Sequence, residues 1–140
     1  MSATTRIVSV REGSRLARTV AIGTHLVRSD EPEPVSSDCG PTPGELLLAA
    51  LGSCTSMTVR AFADRHEWPL RQVDVDLEFD ADGGIVKNVH LSGDLEPAQA
   101  ERLLAVAGRC PVQRLLTGGV PVRTVPTVWQ RPTEKPGQSA

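Results

Sequence analysis

Apolar and acidic residues alternate without a break in "VDVDLEFD", Val73 to Asp80, the period of a strand with one face in the core and one in water. "ADGG" follows as a turn, and "IVKNVHL" returns as the partner strand of a hairpin. Upstream, "RIVSV", "RLARTVAI" and "THLVR" read as three short strands of an antiparallel meander, separated by Gly13 and Gly23. "SDEPEPVSSDCGPTPG" is a loop by composition, and its length marks it as a candidate functional loop.

The pattern then changes to a helical one. Thr42, Pro43 and Glu45 supply an N-cap, a proline at the first position and a carboxylate at the third, in capping-box order, so a helix is predicted from there to about His66, with Pro69 beyond its end. The apolar residues from Leu46 to Leu51 surround the axis, which predicts a central helix whose first half is buried on nearly every side. Ala49, Ala50, Gly52 and Ser53 are small and let neighbouring backbones approach, although Gly52 costs roughly 1 kcal/mol relative to alanine. Asp94 is placed to cap a second helix, about Glu96 to Ala107, with Leu103, Leu104, Val106 and Ala107 on its buried side. "CPVQRLLTGG" predicts a short third helix opening at Cys110 and stopped by Gly118. "VPVRTVPTVWQ" reads as a final edge strand, and the tail 131–140 lacks a core-forming pattern and is expected to be disordered.

A chain of 140 residues fits one domain, taken as residues 1–130. The formal net charge of −2, with both signs scattered, gives no nucleic-acid footprint and no basic membrane-binding face. The longest apolar run, Leu46 to Leu51, is far short of the ~20 residues that cross a bilayer, and the N-terminus has no apolar signal region, so the expectation is a cytoplasmic protein with no membrane partner. With Tyr absent and only Phe62, Phe79, Trp68 and Trp129 as aromatic rings, the core is aliphatic. Three cysteines without Cys-x-x-Cys or Cys/His spacing suit neither a disulfide scaffold nor a zinc site, and no metal or cofactor is expected.

The thiols therefore carry the candidate chemistry. Cys110 sits at a predicted helix N-terminus, where free N–H groups and the positive end of the dipole favour a thiolate, with Arg109 and Arg114 close in sequence. Cys54 lies about three turns into its helix, where the dipole helps little and apolar burial raises a thiol's pKa. Local rules make Cys54 a core residue unless tertiary structure or another subunit brings a cation or donor to it. Cys39 falls in the proline-rich loop and reads as exposed. His25 and His90 read as strand-surface residues, His66 as a helix-end residue and Met57 as core or pocket lining.

"PTPGELLLAALGSCTSMTVRAFADRHEWPL" followed by "GRCPVQRLLTG" resembles the OsmC/Ohr family, the osmotically induced and organic hydroperoxide resistance proteins, over nearly the whole chain. Its form is closer to a less characterised OsmC-like branch than to the hydroperoxide-resistance branch. The resemblance implies an α+β fold, with antiparallel sheets packed around a central buried helix and two chains intertwined as a homodimer, each active site at the interface. It implies a thiol peroxidase in which Cys54 matches the nucleophile that reduces an organic hydroperoxide and becomes a sulfenic acid. Cys110 matches the thiol that resolves it to a disulfide, and an external dithiol restores both. In the hydroperoxide-resistance branch a glutamate near the helix start pairs with an N-terminal arginine at the thiolate. Here Gly44 stands first after the proline and Glu45 one position later, a shift that turns a helical side chain by roughly 100°. Glu45 is thus both a helix cap and a catalytic candidate, and Arg15 and Arg18 are alternative arginines.

Two other readings stay open on the residues. One is a redox-sensing or hydrophobic-ligand-binding protein that keeps the thiol pair without competent activation. The other is a purely structural pair, with Cα atoms more than ~7 Å apart and too far to bridge.

Overall fold

The computed structural model describes residues 6–126 and 131–132 of the chain. Three strands, β1 (Val8–Glu12), β2 (Arg18–Ile22) and β3 (His25–Ser29), form an antiparallel meander in that order. A loop leads to the long helix α1 (Pro43–Arg65), followed by the hairpin β4 (Leu70–Phe79) and β5 (Ile85–Gly93), then α2 (Pro97–Ala107) and α3 (Pro111–Gly118). The fold is α+β, with two antiparallel sheets.

α1 starts where its capping box requires: Thr42 Oγ1 accepts the Glu45 N–H at 3.1 Å, and Glu45 Oε1 accepts the Thr42 N–H at 2.8 Å. Leu51, Thr55, Val59 and Ala63, four apart, form its buried stripe. That stripe packs on the hairpin and α2, and Val59, Ala63, Leu70, Val73, Leu103 and Ala107 make the core. Arg60 reinforces the contact by donating to the carbonyls of Leu70 at 2.7 Å and Arg71 at 3.2 Å. Gly52 is where thinness matters: a Cβ there would lie 2.6 Å from Leu77 Cδ1, so the Leu77 side chain would have to move. The hairpin turn is closed by Asp80, whose Oδ1 accepts from the N–H groups of Asp82 and Gly84 at 2.9 and 2.8 Å.

The opposite side of α1 is open. Within the single chain its first half is not enclosed: Leu47, Ala49 and Ala50 are exposed, and Met57 is 69 % exposed further along. The hairpin, α2 and α3 all lie to one side, so an apolar all-round pattern meets cover on one face only. By length and composition α1 also passes as a membrane-crossing helix, a test that core helices pass too, and here one face packs on the hairpin and α2. The β1–β3 sheet likewise has an uncovered apolar face. Val8 pairs with Ile22, Val10 with Val20, and Val20 with Val27, all on one side, and among the described residues β1 to β3 share no extensive packing with the helices or the β4–β5 hairpin.

Three further expectations are corrected. The second helix is capped at Glu96 rather than Asp94, with Gln99 Oε1 accepting the Glu96 N–H at 2.9 Å, and Leu104 on it is 49 % exposed. The final strand does not form over residues 119–126, which are exposed and unpaired as a ladder; Pro121 and Pro126 supply no N–H to one. Positions 127–130 of that expected strand, and the tail from 133, lie outside the described residues.

Candidate functional site

Cys54 lies on α1 at the border between its buried stripe and its open face. It is half-buried and opens into a groove of about 620 Å³. Ala50, Ser53, Met57 and Ala61 line the groove from α1, with Pro111 and Val112 opposite, while Arg65, Arg109 and Arg114 bring positive charge to it. An apolar trough beside a thiol, edged by cations, suits a largely hydrocarbon reactant.

Behind Cys54, Cys110 is fully buried as the N-cap of α3, its Sγ accepting the Gln113 N–H at 3.4 Å. Burial pushes this thiol up, but donors outweigh it and hold it below its ordinary range: the Thr55 hydroxyl 3.5 Å away, the Gln113 N–H, the Cys54 thiol and the charge of Lys87. The two sulfurs are therefore near neighbours, and all three cysteines are free thiols.

Lys87 is a functional candidate that the sequence reading missed. On β5 the inward-facing residues are Ile85, Lys87, Val89 and Leu91, so the strand carries an ammonium in its apolar phase. That misplaced charge in "IVKNVHL" was the available signal. Its Nζ donates to Thr55 Oγ1 at 3.0 Å, to the Ala107 carbonyl at 2.7 Å and to Gln113 Oε1 at 2.5 Å, which satisfies its three protons. Burial lowers its pKa, while negative charge on Cys110 and on Cys54 raises it again. Arg65, at the far end of α1, was also missed as a groove residue; it falls on the Ala50, Ser53, Cys54, Met57, Ala61 face by helical spacing.

The other sequence candidates sit elsewhere in the single chain. Glu45 closes the α1 capping box nine residues before Cys54, and its Thr42 N–H and hydroxyl partners lower its pKa. The position before it, Gly44, faces Phe79, whose ring would lie 3.3 Å from a Cβ. Arg15, at φ 52° in the β1–β2 turn, donates to the carbonyls of Pro34 and Val35, both at 3.0 Å. Arg18 donates to the carbonyls of Arg15 at 3.1 Å and Ala17 at 2.8 Å. Cys39 is exposed, and its N–H donates to Asp30, a buried carboxylate brought down to about 2 by the Ser36 hydroxyl, the Cys39 N–H and further loop amides against the cost of burial. His25 is exposed, and His66 stacks on Phe62 with ring centroids 4.1 Å apart. His90 meets Asp76 at 3.1 Å on the outer face of the hairpin. Among the described residues no cluster of His, Cys, Asp and Glu has the makings of a metal site.

A family model described as OsmC-like protein matches residues 36–125, the stretch that contains both thiols and the lysine between them. The chain belongs to the OsmC-like family. Comparison with curated protein sequences finds no match. Solved structures support the same fold for this OsmC-like chain. An OsmC-like protein from Mycoplasma pneumoniae superposes with a TM-score of 0.70 at 16 % identity, covering 84 % of this chain and 90 % of that one. An organic hydroperoxide resistance protein OsmC from Legionella pneumophila gives 0.58 at 24 %, covering 84 % and 93 %. The organic hydroperoxide resistance protein OhrB of Bacillus subtilis gives 0.54 at 22 %, covering 84 % and 94 %. At these identities the likeness establishes the OsmC-like fold, and the chemistry must be argued from the site.

Proposed function

We propose that this OsmC-like protein is a thiol-dependent peroxidase that reduces organic hydroperoxides to alcohols. The observation that carries the reading is the pair of adjacent thiols: Cys54 opens on an apolar groove, and Cys110 stands directly behind it among hydrogen-bond donors. The Cys54 thiolate attacks the terminal hydroperoxide oxygen; the S–O bond forms, the O–O bond breaks, and the alkoxide takes a proton to leave as the alcohol. Cys54 is left as a sulfenic acid. The Cys110 thiolate displaces hydroxide from it, giving a Cys54–Cys110 disulfide and, with a proton, water. An external dithiol reduces the pair by two exchange steps, and no further cofactor enters.

The working unit of this reading is a homodimer in a reducing, cytoplasmic setting. The uncovered apolar face of β1–β3 and the open side of α1 are surfaces that a second copy would bury. The N-terminal arginines Arg15 and Arg18 and the helix-start Glu45 would then reach a thiol only across that interface.

A second reading, redox sensing or hydrophobic-ligand binding without turnover, is favoured by one observation: within the chain Glu45, Arg15 and Arg18 already have backbone partners. One assay separates the two. Reduced protein with a dithiol and an alkyl hydroperoxide should consume peroxide over many turnovers. A rate no faster than free cysteine, together with a raised melting temperature on adding a fatty ligand, would support the sensor or binder instead.

A further inference from the structure

The Lys87 ammonium is the one feature of the site that neither peroxide attack nor groove binding uses, yet it is tied to the sulfur behind Cys54 by two routes. The first runs through Thr55. Its hydroxyl proton has two acceptors in reach, the Leu51 carbonyl at 2.8 Å and Cys110 Sγ at 3.5 Å, while Lys87 donates to the same oxygen at 3.0 Å. With Cys110 protonated, the Thr55 hydroxyl donates to Leu51 and accepts from both Lys87 and the thiol, so both lone pairs are used. With Cys110 ionised, the hydroxyl turns to the sulfur, and the lysine on its oxygen polarises it as a donor. The second route runs through Gln113, which gives its N–H to Cys110 Sγ at 3.4 Å and takes a Lys87 proton on Oε1 at 2.5 Å. The Ala107 carbonyl at the end of α2 fixes the third donor at 2.7 Å.

We propose that Lys87, acting through Thr55 and Gln113, is the positioning residue of the resolving step: it holds Cys110 as the charged sulfur that attacks oxidised Cys54. The proposal rests on the peroxidase reading for its place in a cycle. In that step the S–S bond forms, the S–O bond of the sulfenic acid breaks, and the hydroxide leaves with the bonding electrons. The proton it gains as water balances the one that Cys110 lost on ionising. Because all three Lys87 protons are held by protein acceptors, the lysine keeps its place rather than swinging to a ligand. The titratable groups bearing on it are the two thiols, Cys110 first and Cys54 second. Asp74, Asp76 and Glu78 of β4 stand on the exposed face of the hairpin with His90 of β5, and Arg109 and Arg114 line the groove.

The test uses thiol exchange without peroxide. In full-length protein carrying Cys39→Ser, one equivalent of dithionitrobenzoate converts Cys54 to a mixed disulfide and releases one yellow thionitrobenzoate. Attack by Cys110 on the Cys54 sulfur then releases a second, timed by stopped-flow absorbance over a range of pH. Lys87→Met is expected to slow the second release about tenfold at neutral pH and to raise its pH midpoint by about one unit, while the first release changes little. Lys87→Arg, which keeps the charge, is expected to restore most of the midpoint. A second release with wild-type rate and midpoint in folded Lys87→Met would overturn the proposal. Should Lys87→Met fail to fold, Thr55→Val breaks the first route with the shape kept and is judged by the same two readings. Loss of the peroxidase reading would show as no hydroperoxide consumption by the wild type, an outcome this peroxide-free exchange does not depend on.

Discussion

The two sulfurs stand side by side in surroundings of opposite kind. Cys110 is sealed from solvent and held by a hydroxyl, a backbone N–H, a neighbouring thiol and a lysine charge. Cys54 opens on a trough of alanine, serine and methionine side chains edged by arginines. A buried thiol among fixed donors is suited to act on one adjacent atom, whereas a thiol at a groove wall is suited to meet reactants that arrive and leave. One chain thus completes the environment of the inner sulfur and leaves that of the outer sulfur facing an uncovered surface.

The largest expected effect comes from removing the outer sulfur. Cys54→Ser should lose hydroperoxide consumption altogether in a dithiol-coupled assay, and undiminished consumption would reverse the roles assigned to the two sides. Cys110→Ser should consume a single equivalent and then stall, with a sulfenic acid on Cys54 that a dione trap labels and mass spectrometry locates. Next, arginines at the groove should matter by charge. Replacing both Arg109 and Arg114 with alanine should slow consumption about two- to tenfold, and the gap between variant and wild type should shrink in high salt, since exposed charges are screened.

A subtler difference is the titration of the inner sulfur. In a Cys39→Ser, Cys54→Ser protein, thiolate absorbance from Cys110 should rise at a pH below the ordinary 9.0. The sign for stability follows: a thiol that ionises more readily folded than unfolded adds stability fully above its unfolded value, and that stability is lost as pH falls through the lower native midpoint. The smallest effect is expected at the helix start. Glu45→Gln keeps an acceptor for the Thr42 N–H, so the melting temperature and the peroxide rate should both stay close to wild type. A tenfold loss of rate at unchanged melting temperature would place the Glu45 charge at the outer sulfur across an interface.

Much of this was legible in the residues. The α1 start, the hairpin with its "ADGG" turn and the third helix opening at Cys110 all follow from local rules, because caps, turn residues and strict alternation are decided within a few residues. The thiol pair was legible as a resemblance rather than as chemistry, since no local rule places residue 54 beside residue 110. What the pattern could not show was which side of an all-apolar helix would be covered. Leu46 to Leu51 reads the same whether the missing cover is the same chain or another. The final strand failed for a related reason: a ladder needs a partner edge as well as a propensity, and residues 119–126 have none among the described residues. The phase of Lys87 is visible in the sequence, but an ammonium between Ile85 and Val89 fits an ordinary returning strand equally well. Its meaning lies in Thr55, Ala107 and Gln113, which come from three other elements.

Whether these two sulfurs form one redox pair is read out by mass spectrometry of reduced protein after one equivalent of an organic hydroperoxide, digested without reductant. A single cross-linked peptide pair joining Cys54 to Cys110 is expected, with Cys39 still a free thiol. Cys54 and Cys110 both recovered as free thiols, or an oxidised Cys54 with Cys110 untouched in the wild type, would contradict it.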